Sequence, residues 1–229
     1  MAESLETDFQ LLLSCPRGLR PSQVLVTLNQ SYDRVPHPDE SLESSISEIW
    51  NGRIETNPKL FNGRKFRYSG YSLHEESGST DSLHVCLHLG LTDYKTFVGT
   101  NLNPLWENFL VSCEGKCAIL LPLCDIKFRV LDDAIRCQHT ASPLGNGAIV
   151  ETCDKKIVML RRSDVVGEFP GYFVFPGGHP EPEHANVDDF GSISKEMFDS
   201  ITREIVEEVG LPHTSLVCIV NVCYAVQIG

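Results

Sequence analysis

Residues 194 to 209 are the part of this chain whose fold the sequence constrains most tightly. Their apolar side chains recur every three or four positions, which predicts a helix with one side in a core. The residues of that side are Phe198, Ile201, Ile205 and Val209. Gly210 follows at the position where a left-handed residue ends many helices, so the helix is predicted to stop at residue 209.

The same helix carries Glu204 and Glu208 one turn apart along one edge of its core face, with Glu207 on the next row. Like charges one helical turn apart, as at 204 and 208, destabilise an isolated helix by about 0.2–0.5 kcal/mol. A bound cation would remove that penalty, and Mg²⁺ takes a few carboxylate ligands and completes its shell with water and phosphate oxygens. A solvated acidic helix face is the alternative that these residues alone leave open.

The segment upstream of the helix favours a phosphate-binding site. A predicted strand at 172 to 175 leads into Pro176-Gly177-Gly178, where two glycines allow a tight turn and a close approach to a ligand. Arg161 and Arg162 end the preceding strand and are placed to clamp a diphosphate, although arginines at strand ends are also common on surfaces.

Gly178, Glu196 and the run from Arg203 to Leu211 together resemble the Nudix box. That box consists of a glycine, five residues, a glutamate, seven residues, and then Arg-Glu-apolar-x-Glu-Glu-x-Gly-apolar. The second half matches at every defined position. The first half differs, because seventeen residues separate Gly178 from Glu196 and six separate Glu196 from Arg203. An insertion at 179 to 195 is therefore predicted, and the role of Glu196 stays open.

Four further phrases resemble the UDP-glucose diphosphatases among the vertebrate Nudix hydrolases. They lie at 58–67, 91–101, 161–163 and 176–183, and the resemblance covers most of the chain except about 107–140. It implies hydrolysis of a UDP-sugar, UDP-glucose or UDP-galactose, to UMP and sugar 1-phosphate, with Mg²⁺ as cofactor and Mn²⁺ as the alternative. The other readings are a Nudix diphosphatase for another nucleotide, such as ADP-ribose, and a nucleotide-sugar binding protein without catalysis.

The resemblance also implies roles for individual residues. Glu204 and Glu208 would be the metal ligands, Glu207 a further ligand or the base that orients water, and Arg203 the residue that holds the acids in place. Phe61 and Tyr94 would contact the nucleotide. The residues lining the diphosphate and sugar side would be Arg162, Gly167, His179 and Glu181. For Phe61, Tyr94 and His179, a packed aromatic ring or an ordinary loop histidine is an equally good interpretation of the residue by itself.

The fold implied is α+β, with a Nudix α/β/α sandwich around a mixed sheet at 142–229. A smaller β-rich domain with one amphipathic helix is expected at 1–141, and the boundary falls in a run of turn-forming residues near Ser142. The amphipathic helix is predicted after Pro38-Asp39 and before Asn57-Pro58. Strands are predicted at 66–73 and at 83–91, where apolar residues alternate strictly.

Composition narrows the partners and the compartment. A formal net charge of -12 without a cluster of basic residues argues against nucleic-acid binding, so a small-molecule nucleotide-sugar is the expected partner. The first residues lack a basic n-region and a long apolar stretch, and no segment reaches membrane-spanning length, which predicts a cytoplasmic or nuclear protein that is neither secreted nor membrane-bound. The sequence does not specify an oligomeric state.

The end of the chain carries one further expectation. Eighteen residues follow Leu211, enough for a single strand at about 216–226. A Nudix domain normally continues with further strands and a second helix, so we expect the chain to lack the C-terminal part of its domain. An uncovered sheet face with unpaired backbone would then make this form poorly stable and weakly active by itself.

Overall fold

The computed structural model describes residues 12–15, 18–75, 83–111, 135–164, 166, 170–215 and 223–225. Its helices are α1 (Glu40–Thr56), α2 (Tyr94–Gly99) and α3 (Phe190–Val209). Its strands are β1 (Val24–Leu28), β2 (Arg64–Glu75), β3 (Leu83–Asp93), β4 (Gly145–Gly147), β5 (Leu160–Arg161), β6 (Phe173–Val174), β7 (Gly177–Gly178) and β8 (Cys223–Ala225). The predicted α+β class with a mixed sheet is confirmed.

The first sheet has the order β1-β3-β2, with β1 parallel and β2 antiparallel to β3. The alternation predicted for β3 places Val85, Leu87 and Leu89 in the core, at 5% exposure or less. Residues 142–144 then run along β2, because Leu144 N–H donates to the Phe66 carbonyl at 2.8 Å and Tyr68 N–H to the Ser142 carbonyl at 2.9 Å.

The second sheet, β7-β4-β8, begins directly after this contact, at Gly145. Both of its pairings with β4 are antiparallel, and β5 and β6 form a separate antiparallel pair. Of the predicted last strand at 216–226, only β8 lies within the described residues. Residues 112–134, in the stretch that the resemblance does not cover, lie outside them.

Helix α1 matches its prediction closely. Asp39 caps it, its carboxylate accepting the N–H groups of Ser41 and Leu42. Leu42, Ile46 and Trp50 form its buried side, which packs against the short α2, a helix that the sequence pattern does not predict. None of the helices in the described ranges combines the length and the hydropathy that crossing a membrane requires.

Helix α3 begins at Phe190, four residues before its predicted start, with Asp189 as N-cap. Its end at Val209 and the left-handed Gly210, at φ 72°, agree with the prediction. The extra turn adds Ile193 to the core, where this residue and Met197 pack with Val26, Phe66 and other residues of the first sheet.

One hydrophobic core therefore contains residues from both sides of the predicted boundary. Leu144, Ile193 and Met197 share it with β1, β2 and β3, and Ser142 itself is buried. Asn146 ties β4 to α3, because its Nδ2 donates to the Met197 carbonyl at 3.1 Å and to Ser200 Oγ at 2.7 Å. The division into 1–141 and 142–229 stays a prediction, and this packing places helix α3 firmly against the first sheet.

Candidate functional site

The tight turn predicted at Gly177-Gly178 is wrong: the two glycines form strand β7, and neither has a positive φ. This strand meets the acidic edge of α3. A Cβ atom on Gly178 would stand 2.0 Å from Glu204 Oε1, so the Glu204 carboxylate rests directly on the backbone of this glycine. Gly177 N–H donates to Glu208 Oε2 at 3.1 Å. The glycines that the sequence assigns to a close approach thus bring strand β7 against two helix carboxylates.

Burial and like charge both act on Glu204. Its pKa is raised from 4.5 to about 7, mainly because the carboxyl is half-buried and further because Glu208, Glu207 and Glu181 lie near it, while Lys65 opposes the shift. Glu207 and Glu208 are exposed. Because one pKa unit corresponds to about 1.4 kcal/mol, the ionised form of Glu204 is held here at a substantial cost that a cation would offset.

The donor set is suited to a hard divalent cation. Within the ranges that the structure describes, no three His, Cys, Asp or Glu side chains are close enough together to hold a metal ion by themselves. Mg²⁺ does not need three, since it is commonly bound through one or two carboxylates and completed by water and substrate phosphates. Glu204 and Glu208, which contact Gly178 and Gly177 of β7, fit that pattern.

Arg203 joins α3 to the inserted segment. It donates to Glu196 Oε1 at 2.6 Å, and its Nη2 lies 2.9 Å from His184 Nδ1. Glu196 is buried, and Oε1 also accepts the N–H of Glu181 at 3.2 Å. The spacing of seven between Glu196 and Arg203 is close to two helical turns, so both lie on the same face despite the departure from the box. Sequence reasoning left Glu196 open and missed His184.

Lys65 of β2 reaches the site from the first sheet. Its Nζ lies 2.9 Å from Glu181 Oε1, and its side chain is only 14% exposed. Sequence reasoning missed this residue as well, although it falls within the phrase at 58–67 that carries the resemblance. The signal that could have identified Lys65 was its position directly before the apolar Phe66, in a protein that has fewer basic than acidic residues.

His179 is held neutral. Its pKa is lowered from 6.5 to about 4, first by burial and then by the positive charges of Lys65 and Arg162, with Glu181 opposing. Its ring meets that of Phe97 edge-on at 6.3 Å. At neutral pH it therefore offers one N–H donor and one nitrogen acceptor to a ligand.

The two predicted nucleotide contacts differ in exposure. Tyr94 begins α2, and its ring packs edge-on against Trp50 at 5.9 Å. Phe61 is 77% exposed, which is not the environment of a core aromatic. The loop that carries Phe61 is hydrogen-bonded to the start of α2, because Gly63 C=O accepts the N–H of Tyr94 and Asn62 Oδ1 accepts the N–H of Lys95.

The predicted site residues are thus brought together in part. Glu204, Glu208, Glu181 and His179 interact around β7, and the charge of Arg162 acts on His179. Arg203 faces the inserted segment rather than the acidic edge of α3. Gly167 lies outside the described residues. The roles of all these residues stay predictions.

Comparison with known proteins gives named relatives. No protein-family model matches the chain. Nudix hydrolase 9 of Arabidopsis thaliana is 53% identical, over 94% of this chain and 70% of its own length. The uridine diphosphate glucose pyrophosphatase of Mus musculus is 35% identical, over 92% of this chain and 65% of its own length. The Homo sapiens protein of the same name is 34% identical, over 93% and 66%. The chain thus spans about two thirds of the length of these relatives.

Proposed function

This chain belongs to the Nudix hydrolases, and from that premise we propose that it cleaves the diphosphate of a UDP-sugar with the help of a divalent cation. The substrates would be UDP-glucose or UDP-galactose, and the products UMP and sugar 1-phosphate. The cation would be Mg²⁺, with Mn²⁺ as the alternative.

One observation carries the proposal. The half-buried Glu204 carboxylate lies on Gly178 among other acids, and its pKa is raised to about 7. An acid in that environment opposes folding in the absence of a cation, and perturbed groups of this kind concentrate at functional sites. A diphosphate supplies the phosphate oxygens that a bound divalent cation such as Mg²⁺ prefers as ligands.

The chain's own residues then have distinct tasks. Glu204 and Glu208 would hold the cation, which, when bound, polarises the phosphoryl group and lowers the pKa of water. Glu207, exposed on the same helical turn, would orient the attacking water. Arg203 positions the inserted segment through Glu196. Neutral His179 would donate a hydrogen bond to the diphosphate without adding charge, and Arg162 would supply the nearby positive charge.

The uridine part of the proposal has separate support. The mouse and human relatives carry UDP-glucose in their names. In this chain, Phe61 is 77% exposed on a loop that is hydrogen-bonded to the start of α2, so its ring is open to stack on a base.

We expect UDP-glucose and UDP-galactose to be hydrolysed and ADP-ribose and GDP-mannose to be poor substrates. A pocket that hydrogen-bonds uracil leaves buried polar groups unpaired when a purine enters, which lowers kcat/KM by about a hundredfold or more. The measurement is release of UMP or the other nucleotide in Mg²⁺, with EDTA as control. Equal kcat/KM for ADP-ribose would contradict the uridine assignment, and tight binding of UDP-glucose without turnover would identify a binding protein.

Replacing Gly178 by alanine tests the contact that carries the proposal. The new Cβ would displace the Glu204 carboxylate, since the end of that side chain moves more easily than the backbone. A displacement of about 1 Å costs up to about a hundredfold in rate, so we expect kcat to fall at least tenfold while the melting temperature stays within a few degrees.

The matched control is Gly52→Ala on α1. A Cβ there meets nothing within 4 Å, so this variant should keep full turnover and gain a little helix stability. If Gly178→Ala retained more than half of the wild-type rate, the carboxylate would not need its observed position.

A further inference from the structure

Lys65 is an enclosed cation to which the proposed mechanism gives no task. Its side chain is 14% exposed, in a protein with 19 Lys and Arg against 31 Asp and Glu. An ammonium group with so little access to water requires a charged or hydrogen-bonding partner. The partner that the structure shows is Glu181 Oε1, at 2.9 Å.

The neighbouring residue on β2 shows what an ordinary surface pair looks like here. Arg64 Nε lies 3.9 Å from Glu183 Oε1, and both side chains are about half exposed. Such pairs contribute little, because water and salt screen them. Two consecutive residues of β2 thus reach the same inserted segment, and only the Lys65 pair is short and enclosed.

Glu181 is connected further to the acidic helix. Its N–H donates to Glu196 Oε1 at 3.2 Å, and Glu196 in turn accepts from Arg203 at 2.6 Å. Its second carboxylate oxygen lies 3.9 Å from His184 Nδ1, and that nitrogen lies 2.9 Å from Arg203. The Glu181 backbone is therefore fixed from α3, while Lys65 fixes its carboxylate from the opposite side.

The charge of Glu181 is a difficulty for an anionic ligand. Glu204, Glu207 and Glu208 already lie nearby, and an unpaired fourth carboxylate would repel the diphosphate of any nucleotide-sugar. Paired with an ammonium, the same carboxylate stays ionised, but the net charge of the pair is close to zero and the carboxylate keeps free lone pairs. Such a carboxylate accepts hydrogen bonds from the hydroxyl groups of a sugar.

We propose that Lys65 is a positioning and specificity-determining residue, which neutralises and orients Glu181 as the hydrogen-bond acceptor for the sugar of the substrate. The inference rests on the proposed function and assigns to this site a sugar-phosphate subsite with β2 as one wall. Lys65 acts through Glu181 and takes no part in the bond-breaking step.

The test compares Lys65→Gln, Lys65→Arg and Glu181→Gln with the wild type. For Lys65→Gln we expect KM for UDP-glucose to rise about tenfold, the loss of one charge-assisted contact, with kcat within about threefold. Inhibition by glucose 1-phosphate should weaken about tenfold and inhibition by UMP should not change, because only the sugar side is altered. Lys65→Arg should restore most of the affinity.

The matched control is Arg64→Gln. Arg64 lies on the same strand and reaches the same inserted segment, but its pair with Glu183 is exposed, so KM for UDP-glucose should stay within about twofold of the wild type. KM for UDP-glucose should be no higher in the double variant Lys65→Gln/Glu181→Gln than in Glu181→Gln alone, since the two residues act as one unit. Additive losses, unchanged glucose 1-phosphate inhibition, or a fall in kcat and melting temperature without a change in KM would overturn the proposal.

Direct binding separates this inference from the proposed function. Calorimetry with glucose 1-phosphate and Mg²⁺ does not require turnover. A wild type that binds glucose 1-phosphate about tenfold more tightly than Lys65→Gln supports the subsite even if UDP-glucose is not hydrolysed, which would contradict the function alone. Turnover of UDP-glucose with equal affinities of the two proteins for glucose 1-phosphate would overturn the Lys65 inference alone.

Discussion

Replacing Glu204 by glutamine is expected to abolish turnover and, at the same time, to stabilise the metal-free protein. The first effect follows from the loss of a proposed cation ligand, which would cost several kcal/mol of transition-state stabilisation and lower kcat by about a hundredfold or more. The second follows from the pKa of Glu204, which is about 7 in the folded chain against an ordinary value of 4.5.

The sign of the second effect depends on pH. Because the folded pKa is raised, the folded protein binds the proton more tightly than the unfolded chain does. The ionised carboxylate therefore opposes folding fully above about pH 7, and the penalty vanishes as the pH falls to about 4.5. With solvent screening of a half-buried group taken into account, the gain at pH 8 is about 1–2 kcal/mol, or about 3–6 °C in melting temperature.

Thermal unfolding in EDTA at pH 8 and pH 4.5, beside turnover in Mg²⁺, checks both effects. Glu204→Gln should melt above the wild type at pH 8 only, and added Mg²⁺ should stabilise the wild type but not the variant. Asp199→Asn, an exposed acid of the same helix paired with Lys195, is the control and should change neither quantity. A Glu204→Gln protein with more than about a tenth of the wild-type rate would exclude Glu204 as a ligand.

Replacing Arg67 by leucine should lower the free energy of unfolding more than any other substitution proposed for this protein. This side chain is 2% exposed, and its guanidinium donates to the carbonyls of Tyr32, Cys137 and Thr140 at 2.8, 2.8 and 3.1 Å. Burial lowers its pKa to about 10, so it stays charged at neutral pH. Leucine would remove the guanidinium donors of the Tyr32 and Thr140 carbonyls, at about 1–3 kcal/mol for each one that is buried. The Cys137 carbonyl would keep the N–H and the hydroxyl of Thr140 as donors.

We therefore expect Arg67→Leu to lose about 3–5 kcal/mol, a large share of the 5–15 kcal/mol that stabilises a typical domain. Urea denaturation followed by circular dichroism measures it. Arg64→Leu, three residues earlier on the same strand and half exposed, should change stability by less than about 1 kcal/mol. A loss for Arg67→Leu no larger than that of Arg64→Leu would show that the Tyr32 and Thr140 carbonyls find other donors.

Much of the local structure could be predicted because its causes are local. Helix α1 follows from its apolar spacing and the Asp39 cap, and the end of α3 follows from Gly210. The sequence places the start of α3 four residues too late. The first turn of the helix is stabilised by Ile193, which packs against the first sheet, and the segment's own pattern does not show that contact.

The candidate site could be predicted only where its residues are close in sequence. Glu204, Glu207 and Glu208 are one helical turn, so their spacing alone places them together. Lys65 and Glu181 are 116 residues apart, and no spacing rule relates them. Glu196 and His184 were not placed because the insertion changes the spacing on which the resemblance depends.

Three features follow from the sequence alone: Glu204, Glu207 and Glu208 lie within about one turn of a helix, this helix ends at Gly210, and two glycines upstream allow a close approach of the backbone. Periodicity and glycine geometry act over a few residues, so they can be read from the chain directly. Three contacts appear only in the folded chain: Gly178 lies against Glu204, Arg67 donates to three distant carbonyls, and Lys65 pairs with Glu181. Those contacts depend on how separate strands and helices pack, because the energy that selects them comes from the burial of apolar surface and the pairing of enclosed charges across the whole chain.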